Sequence, residues 1–213
     1  MIELLNISKS FGDKLIFEDV NLTIKKGEFV IITGESGSGK TTLLNIMSLM
    51  EQPDKGNIFI EGTKINSLKG KQRFFREKAG FIFQNYALME EETVFNNIKI
   101  SLAYKKCKDK GAVIKDSLNK VGLDNYQNKK IYQLSGGEQQ RVSLARLLAK
   151  DSQYIFADEP TGNLDGDNSR KVYEILKELN KKGKTVILVT HDERIANIEG
   201  CKKLVIKNRK IIA

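Results

Sequence analysis

A glycine-rich stretch at residues 34–41, GESGSGKT, has the residue types and spacing of a phosphate-binding loop, G-x-x-x-x-G-K-[ST]. Its glycines allow the backbone to wrap around an anion, so that successive N–H groups and a helix N-terminus face a phosphate. Lys40 adds a positive charge for the outer phosphates, and Thr41 offers a hydroxyl to magnesium, which prefers oxygen ligands. The stretch predicts a site for a nucleoside triphosphate and magnesium. Its candidate nucleotide-binding residues are Gly34, Glu35, Ser36, Gly37, Ser38, Gly39, Lys40, Thr41 and Thr42.

Other polar side chains follow apolar, strand-like runs elsewhere in the chain. Asp158 and Glu159 close one run, and His191, the single histidine, follows another. Phosphoryl transfer to water needs charge neutralisation, an oriented water and a contact to the terminal phosphate. We expect Asp158 to hold magnesium, Glu159 to act as the base for water, and His191 to contact the terminal phosphate. A lone histidine at a strand end is otherwise commonly structural.

The elements that must position these residues alternate between apolar strands and helical periodicity, which indicates a mainly parallel sheet with ligands beyond its carboxyl ends. Gly34, Gln84, Asp158 and His191 all lie at such ends. Period-two segments near the N-terminus predict a small antiparallel sheet beside this core. Core strands are expected at 28–33, 80–83, 153–159 and 184–190, helices from 42, after 136 and at 168–180, antiparallel strands at 2–7, 20–25 and 57–61, and a hairpin at 203–212.

Size and composition restrict the classes of protein. A chain of 213 residues suits a single domain carrying smaller subdomains. Its longest uninterrupted apolar run is four residues, whereas a membrane-spanning helix needs about 20. The first residues lack the features of a secretory signal, so a cytoplasmic location is expected. Cys107 and Cys201 are isolated, which argues against a metal site or a disulfide framework.

The chain is basic, with 36 basic and 27 acidic residues and a net charge of +9. Local clusters occur at 69–78 and 105–110. Neither has the interleaved aromatic side chains of a platform for nucleic-acid strands. A solvated lysine-rich face, a nucleotide site and a nearby anionic membrane surface all remain compatible with this charge.

A second glycine motif, LSGGEQQ at residues 134–140, opens a helical run. With this motif the chain resembles the nucleotide-binding subunit of an ATP-binding cassette (ABC) transporter over nearly its full length. The resemblance implies that residues 34–41 are the Walker A loop and that Asp158 and Glu159 are the Walker B pair. It further implies roles for Gln84 as the magnesium-contacting Q-loop residue, Asp165 as the D-loop residue, His191 as the switch histidine and Phe11 as the aromatic beneath adenine.

The resemblance also implies a particular fold and assembly. The fold would be an α/β P-loop NTPase core of residues 1–84 and 151–213, with a small antiparallel β subdomain and a helical subdomain at 85–150, all within one ABC domain at 1–213. The signature turn would complete the ATP site of a second copy in a head-to-tail homodimer around two ATP. The signature residues are Ser135, Gly136, Gly137 and Glu138.

Within the family, the sequence around Gln84 and Asp158 is most similar to the branch of lipoprotein-release, macrolide-efflux, peptide-export and cell-division ATPases. This implies an integral-membrane permease as partner, no specific nucleic acid, and a peripheral position on the inner face of the membrane. A regulator of a cell-wall enzyme and a soluble nucleic-acid ATPase of the same superfamily remain alternatives. Apolar residues within 85–98 could form a permease-docking surface or fill the core of the helical insert.

Overall fold

The computed structural model describes residues 1–162, 166–192, 200–207 and 209–212, without the side chains of 166–168. Within them no helix is long and apolar enough to cross a membrane. The strands are β1 (Ile2–Phe11), β2 (Lys14–Ile24), β3 (Phe29–Gly34), β4 (Lys55–Ile60), β5 (Thr63–Lys64), β6 (Ala79–Ile82), β7 (Tyr154–Asp158), β8 (Thr185–Val189), β9 (Lys202–Lys207) and β10 (Lys210–Ile212). The helices are α1 (Lys40–Met47), α2 (Leu68–Glu77), α3 (Val94–Lys99), α4 (Lys110–Lys120), α5 (Gly136–Lys150) and α6 (Gly166–Lys181), with short 3₁₀ turns at Ile100–Leu102 and Ile131–Gln133.

The larger sheet has the strand order β10-β9-β3-β8-β7-β6. Neighbouring strands from β9 to β6 pair in parallel, and β10 is an antiparallel edge strand. Alternate residues of β3 enter different cores, Ile31 on one face and Val30 and Ile32 on the other. Both faces are therefore covered, which explains why these strands are continuously apolar. The mainly parallel sheet expected from the sequence is confirmed.

The smaller sheet is antiparallel, with the order β2-β1-β4-β5. Its first two strands are longer than the sequence pattern predicted, because β1 continues to Phe11 and β2 begins at Lys14, directly opposite. Gly12 makes the tight turn between them at a φ of 56°. Phe11 is thereby held at the tip of a hairpin, where its side chain is 50% exposed.

Helix α2 was not predicted, because its sequence is strongly basic and only Phe74 on it is fully buried. The Ser67 side chain caps it by accepting a hydrogen bond from Gly70 N at 3.1 Å. Phe74 packs near the rings of Tyr154 and Phe156, with centroid separations of 5.8 and 6.2 Å. Phe75, the next residue, packs near the Phe81 ring at a centroid separation of 5.9 Å. These two rings hold the helix on the sheet while its basic side chains remain at the surface.

Most apolar residues within 85–98 belong to the core. Val94 is fully buried, and Leu88 and Phe95 pack against the same cluster. Met89 remains 41% exposed. The segment therefore mainly stabilises the packing of α3, α4 and α5, and it offers little free apolar surface for a partner.

Two glycines of the antiparallel sheet provide a matched test of this packing. A Cβ at Gly56 would lie 2.5 Å from Asn6 O, whereas one at Gly62 would meet nothing within 4 Å, although both residues have positive φ. We predict that Gly62→Ala loses roughly 1 kcal/mol from backbone strain alone, and that Gly56→Ala loses roughly 3 kcal/mol or more. Urea unfolding checks both variants, and equal losses would contradict the close approach of β4 to β1.

Candidate nucleotide site

The phosphate loop connects β3 to α1 at the carboxyl edge of the parallel sheet. Gly34 and Gly39 have φ values of 148° and 102°. A Cβ at Gly34 would lie 2.6 Å from Ile206 O and 2.9 Å from Ser38 Oγ, so only glycine fits there. Gly37, at φ 74°, would meet nothing within 4 Å and therefore faces open space. The loop is closed on the side of the sheet and open on the outer side.

The polar groups of the loop suit an anion. Lys40 Nζ donates to Gly34 O and Glu35 O, both at 2.9 Å, which holds its charge inside the loop. Ser38 Oγ is buried and has no hydrogen-bond partner among the described residues. A loop that holds a cation among neutral carbonyls and leaves a buried hydroxyl unsatisfied fits the phosphates of a nucleotide.

Thr41 and Asp158 lie side by side at the start of α1 and the end of β7. Thr41 Oγ1 donates to Asp158 Oδ1 at 3.2 Å. Burial raises the pKa of Asp158 above its usual value, opposed by the Thr41 hydrogen bond and reinforced by the neighbouring Glu159 charge. A hydroxyl and a carboxylate beside a phosphate loop form an all-oxygen donor set that fits magnesium. The cation would add to the positive charge of Lys40, which already acts on this carboxylate.

Glu159 and His191 form an ion-pair geometry beside this donor set. His191 Nδ1 lies 2.8 Å from Glu159 Oε2, and the His191 backbone N–H donates to the same oxygen at 3.3 Å. The Glu159 side chain is 14% exposed and that of His191 is 71% exposed. Glu159 has a φ of 45°, a left-handed conformation that is strained for this residue type. One carboxylate is thus held in place while its histidine partner reaches into solvent.

The signature turn forms the N-terminus of α5. Ser135 accepts at Oγ from Glu138 N at 3.3 Å, and Glu138 Oε2 accepts from Ser135 N at 2.8 Å, which completes a capping box. The hydrogen bond from the Ser135 backbone N–H lowers the pKa of Glu138 most, followed by those that the Tyr126 and Ser135 hydroxyls donate to this carboxylate. In the described part of the chain no hydrogen bond joins this turn to the chain's own phosphate loop. The outward N–H groups of Gly136 and Gly137 remain available to an external anion.

Gln84 lies just past β6 and is exposed. Its Nε2 is 3.8 Å from where a Cβ on Gly162 would be, which places it near the segment after Glu159. The next residues turn sharply, because Tyr86 and Ala87 have φ values of 61° and 47°. Two consecutive left-handed residues need external support.

That support comes from Arg146 on α5, which sequence analysis had not identified. Its guanidinium donates to Ala87 O at 2.6 Å and to Tyr86 O at 2.7 Å. Burial lowers the pKa of Arg146, and burial together with the Arg146 charge lowers that of Lys150. Two basic residues at i and i+4 on an apolar helix were the available signal in the sequence.

A groove lies beside Arg146, between β6 and α5, and has a volume of about 240 Å³. Phe81 and Phe83 stack along it with ring centroids 5.6 Å apart. Ile100, on its rim, is 59% exposed. The groove combines aromatic and aliphatic walls with buried positive charge. Its lining residues include Phe81, Phe83, Ala87, Ile100, Arg146 and Lys150.

The Phe11 ring lies over the Lys9 ammonium group, a contact that the sequence analysis had not identified. Lys9 Nζ is 4.9 Å from the Phe11 ring centroid and donates to Glu51 Oε1 at 2.6 Å and to Gln52 O at 2.9 Å. Hydrogen bonding by Glu51 raises the pKa of Lys9. The exposed aromatic is therefore supported from one side. Asp165, with its neighbours Asn163 and Leu164, lies outside the described residues, as does Asn208 in the final turn.

Comparison with known proteins gives one family. Residues 17–162 match the model for the ABC transporter family. Over 200 residues, 92% of this chain, the sequence is 44% identical to the macrolide export ATP-binding/permease protein MacB of Campylobacter jejuni, of which it spans 31%. It is 38% identical over 214 residues to the lipoprotein-releasing system ATP-binding protein LolD of Aquifex aeolicus, covering 97% of this chain and 94% of that one.

The fold is similar to solved ABC cassettes. The dimeric structure of MJ0796, a bacterial ABC transporter cassette by its description, superposes with a TM-score of 0.90 at 36% identity, covering 100% of this chain and 97% of that one. A post-hydrolysis dimer of MJ0796 bound to ADP and Pi matches equally well, with a TM-score of 0.90 at 35% identity and the same coverage. The related curated sequence of MJ0796 comes from Methanocaldococcus jannaschii.

The raised pKa of Asp158 gives a testable consequence for the nucleotide-free chain. Because burial disfavours its charged form in the fold, this ionisation opposes folding as pH rises through the folded-state pKa. We predict that Asp158→Asn stabilises the nucleotide-free chain at pH 7.5 and that the gain shrinks as pH is lowered toward 3.8, the ordinary pKa of an aspartate. Urea midpoints across this range measure it. Asp13→Asn, at an exposed turn position, is the control, and a pH-independent gain for Asp158→Asn would contradict the prediction.

Proposed function

The chain belongs to the ABC transporter family as an ATP-binding, ATP-hydrolysing cassette, and we propose that it acts as a head-to-tail homodimer that drives a separate membrane permease. The observation that carries the proposal is the division of the site. Lys40, Thr41, Asp158, Glu159 and His191 meet at one sheet edge, whereas no hydrogen bond within the described residues joins the turn at Ser135 to them. Each chain would then supply the phosphate-loop half of one site and the signature-turn half of the other.

In the proposed site the chain binds the phosphates of ATP through the backbone N–H groups of residues 34–41 and through Lys40. Thr41 and Asp158 hold magnesium, with Gln84 as a further contact. When bound, magnesium supplies positive charge for the phosphate oxygens. Phe11, supported by Lys9, offers a face on which adenine stacks.

The proposed base for water is Glu159. Its carboxylate takes the proton from the attacking water, and its strained position close to Asp158 directs it toward the phosphate loop. His191, bonded to the same carboxylate, fixes its orientation and presents its other ring nitrogen to the terminal phosphate. The imidazole thus positions the base through one carboxylate oxygen, and the other oxygen remains able to accept the proton from water.

The second half of each site comes from the other chain. We propose that the α5 N-terminus at Ser135, Gly136 and Gly137 meets the terminal phosphate held by the partner's loop, with Glu138 fixing the turn. Asp165 lies in the segment expected to line the same interface. Burial of ATP between two chains then excludes water from both sites at once.

The permease contact is proposed at the groove between β6 and α5. Aromatic walls at Phe81 and Phe83 suit an apolar helix, and Arg146 lies at its base. Because Arg146 also holds the turn after Gln84, a helix seated here can move a residue of the ATP site. The chain would then lie peripherally on the cytoplasmic face of the membrane.

The first prediction of this proposal separates hydrolysis from ATP binding. Glu159→Gln should lower ATP turnover by about 10²–10⁴-fold, because it removes the base while preserving size and hydrogen bonding. ATP binding should survive, so the variant should accumulate as an ATP-bound dimer. Turnover assays and sizing with light scattering measure both effects.

Lys40→Ala is the matched control, since it removes the charge that holds the phosphates and should abolish both tight ATP binding and dimer formation. A Glu159→Gln chain that remains monomeric with ATP and magnesium would contradict the dimer model. A Lys40→Ala chain with unchanged affinity by calorimetry would contradict the nucleotide site.

The second prediction tests the groove. Ile100→Glu should leave turnover of the isolated chain within about twofold and should abolish co-purification of its permease from membranes, because a charge on the rim of the groove opposes apolar docking. Ile212→Glu is the control, since Ile212 is similarly exposed at 55% against 59% for Ile100. Equal retention of the permease by both variants would place the contact elsewhere.

A further inference from the structure

The positive charge of this chain is concentrated in two short segments. Residues 69–78 and 99–110 each contain five basic residues and one acidic residue. Together they therefore carry eight of the nine net positive charges of the chain. The remainder of the sequence is almost balanced, so the basic character is a local property rather than a diffuse one.

The fold brings these two segments together. The Arg76 guanidinium lies 4.4 Å from the ring centroid of Tyr104, which joins the end of α2 to the loop after α3. Lys105 Nζ donates to Ala149 O at 2.9 Å, and Lys150 Nζ donates to Phe75 O at 2.7 Å. The C-terminal end of α5 thus binds both segments, and their charges share one surface.

Many of these charges have no acidic partner. Lys78 pairs with Glu61, and Arg73 pairs with Glu77. By contrast, five exposed basic residues form no ion pair within the part of the chain that the structure describes. These five residues, which we call the basic face, are Lys69, Arg76, Lys99, Lys106 and Lys108.

Apolar side chains stand among the charges of the basic face. Ile100 and Tyr104 are 59% and 64% exposed. Exposed aromatic and aliphatic groups flanked by lysine and arginine suit the boundary between lipid headgroups and acyl chains. They suit nucleic acid less well, because the guanidinium of Arg76 already covers one face of Tyr104 and hinders base stacking there.

We propose that the basic face binds an anionic lipid surface directly, independently of any permease. Lysine and arginine side chains contact the headgroup phosphates while Ile100 and Tyr104 enter the interfacial layer. The basic face borders the groove, because Ile100, the neighbour of Lys99 in the chain, lines the groove. The proposal rests on the proposed function in one respect only, because a permease seated in the groove would keep the basic face at the membrane.

The test uses the full chain and vesicles without a permease. The chain should sediment with vesicles of phosphatidylglycerol and phosphatidylcholine, should not sediment with phosphatidylcholine alone, and should be released as salt is raised. A Lys99→Gln, Lys106→Gln, Lys108→Gln variant should bind the anionic vesicles at least tenfold more weakly, since each basic residue near such a surface contributes about fivefold.

The matched control removes three exposed lysines of another surface, Lys177→Gln, Lys181→Gln and Lys182→Gln, and should bind vesicles like the parent. ATP turnover in solution should be unchanged in both triple variants. Any one of four results would overturn the proposal. These are equal weakening of vesicle binding in both triple variants, binding to neutral vesicles, tighter binding to duplex DNA than to anionic vesicles, and no sedimentation at low salt. Vesicle binding by a chain that hydrolyses no ATP would overturn the proposed function alone.

Discussion

The in-register parallel pairing of β3, β8 and β7 is the constraint on which the site depends. Asp158 lies opposite Val189 in this register, and Glu159 N donates to Val189 O at 3.0 Å. His191 follows two residues later and meets the Glu159 carboxylate. A shift of one residue in either strand would exchange the two buried faces and separate this pair. Burial on both faces makes such a shift strongly unfavourable.

This arrangement holds unfavourable features at the site. The Asp158 carboxylate is partly buried, Glu159 is in a left-handed conformation, and Ser38 Oγ has no hydrogen-bond partner in the described part of the chain. Each feature opposes folding of the nucleotide-free chain, and the two apolar cores must offset them. Nucleotide and magnesium fit the same three features. Binding can therefore stabilise the chain by more than the new contacts alone suggest.

Helix α5 connects the candidate ATP site with the surfaces that we propose to face a partner. Its N-terminus carries the turn at Ser135, and Gln140 donates to Pro160 O at 2.5 Å, next to Asp158 and Glu159. Near its other end Arg146 holds the turn after Gln84, and Lys150 reaches α2. One helix thus contacts the segments after β6 and β7, the groove and the basic face. A displacement of α5 would therefore alter the packing of all these regions.

The sequence by itself determined the fold class, the family and the candidate residues of the ATP site. Those signals are local: the phosphate loop needs glycines at fixed spacing, buried parallel strands need continuous apolar runs, and the signature turn needs its capping serine and glutamate. Family and fold are confirmed, and the roles of the individual site residues remain predictions. The strand bounds were less accurate, as the extension of β1 to Phe11 shows, because pairing across a turn lengthens a strand beyond its own pattern.

Only the tertiary structure decided how distant segments combine. Nothing in the order of residues indicates that Arg146 supports Tyr86 or that the two basic segments share a surface. Helix α2 was missed because two adjacent rings, Phe74 and Phe75, provide its anchor, and two neighbouring residues give no periodicity. Such contacts depend on packing between segments far apart in the chain, and the local sequence contains no information about that packing.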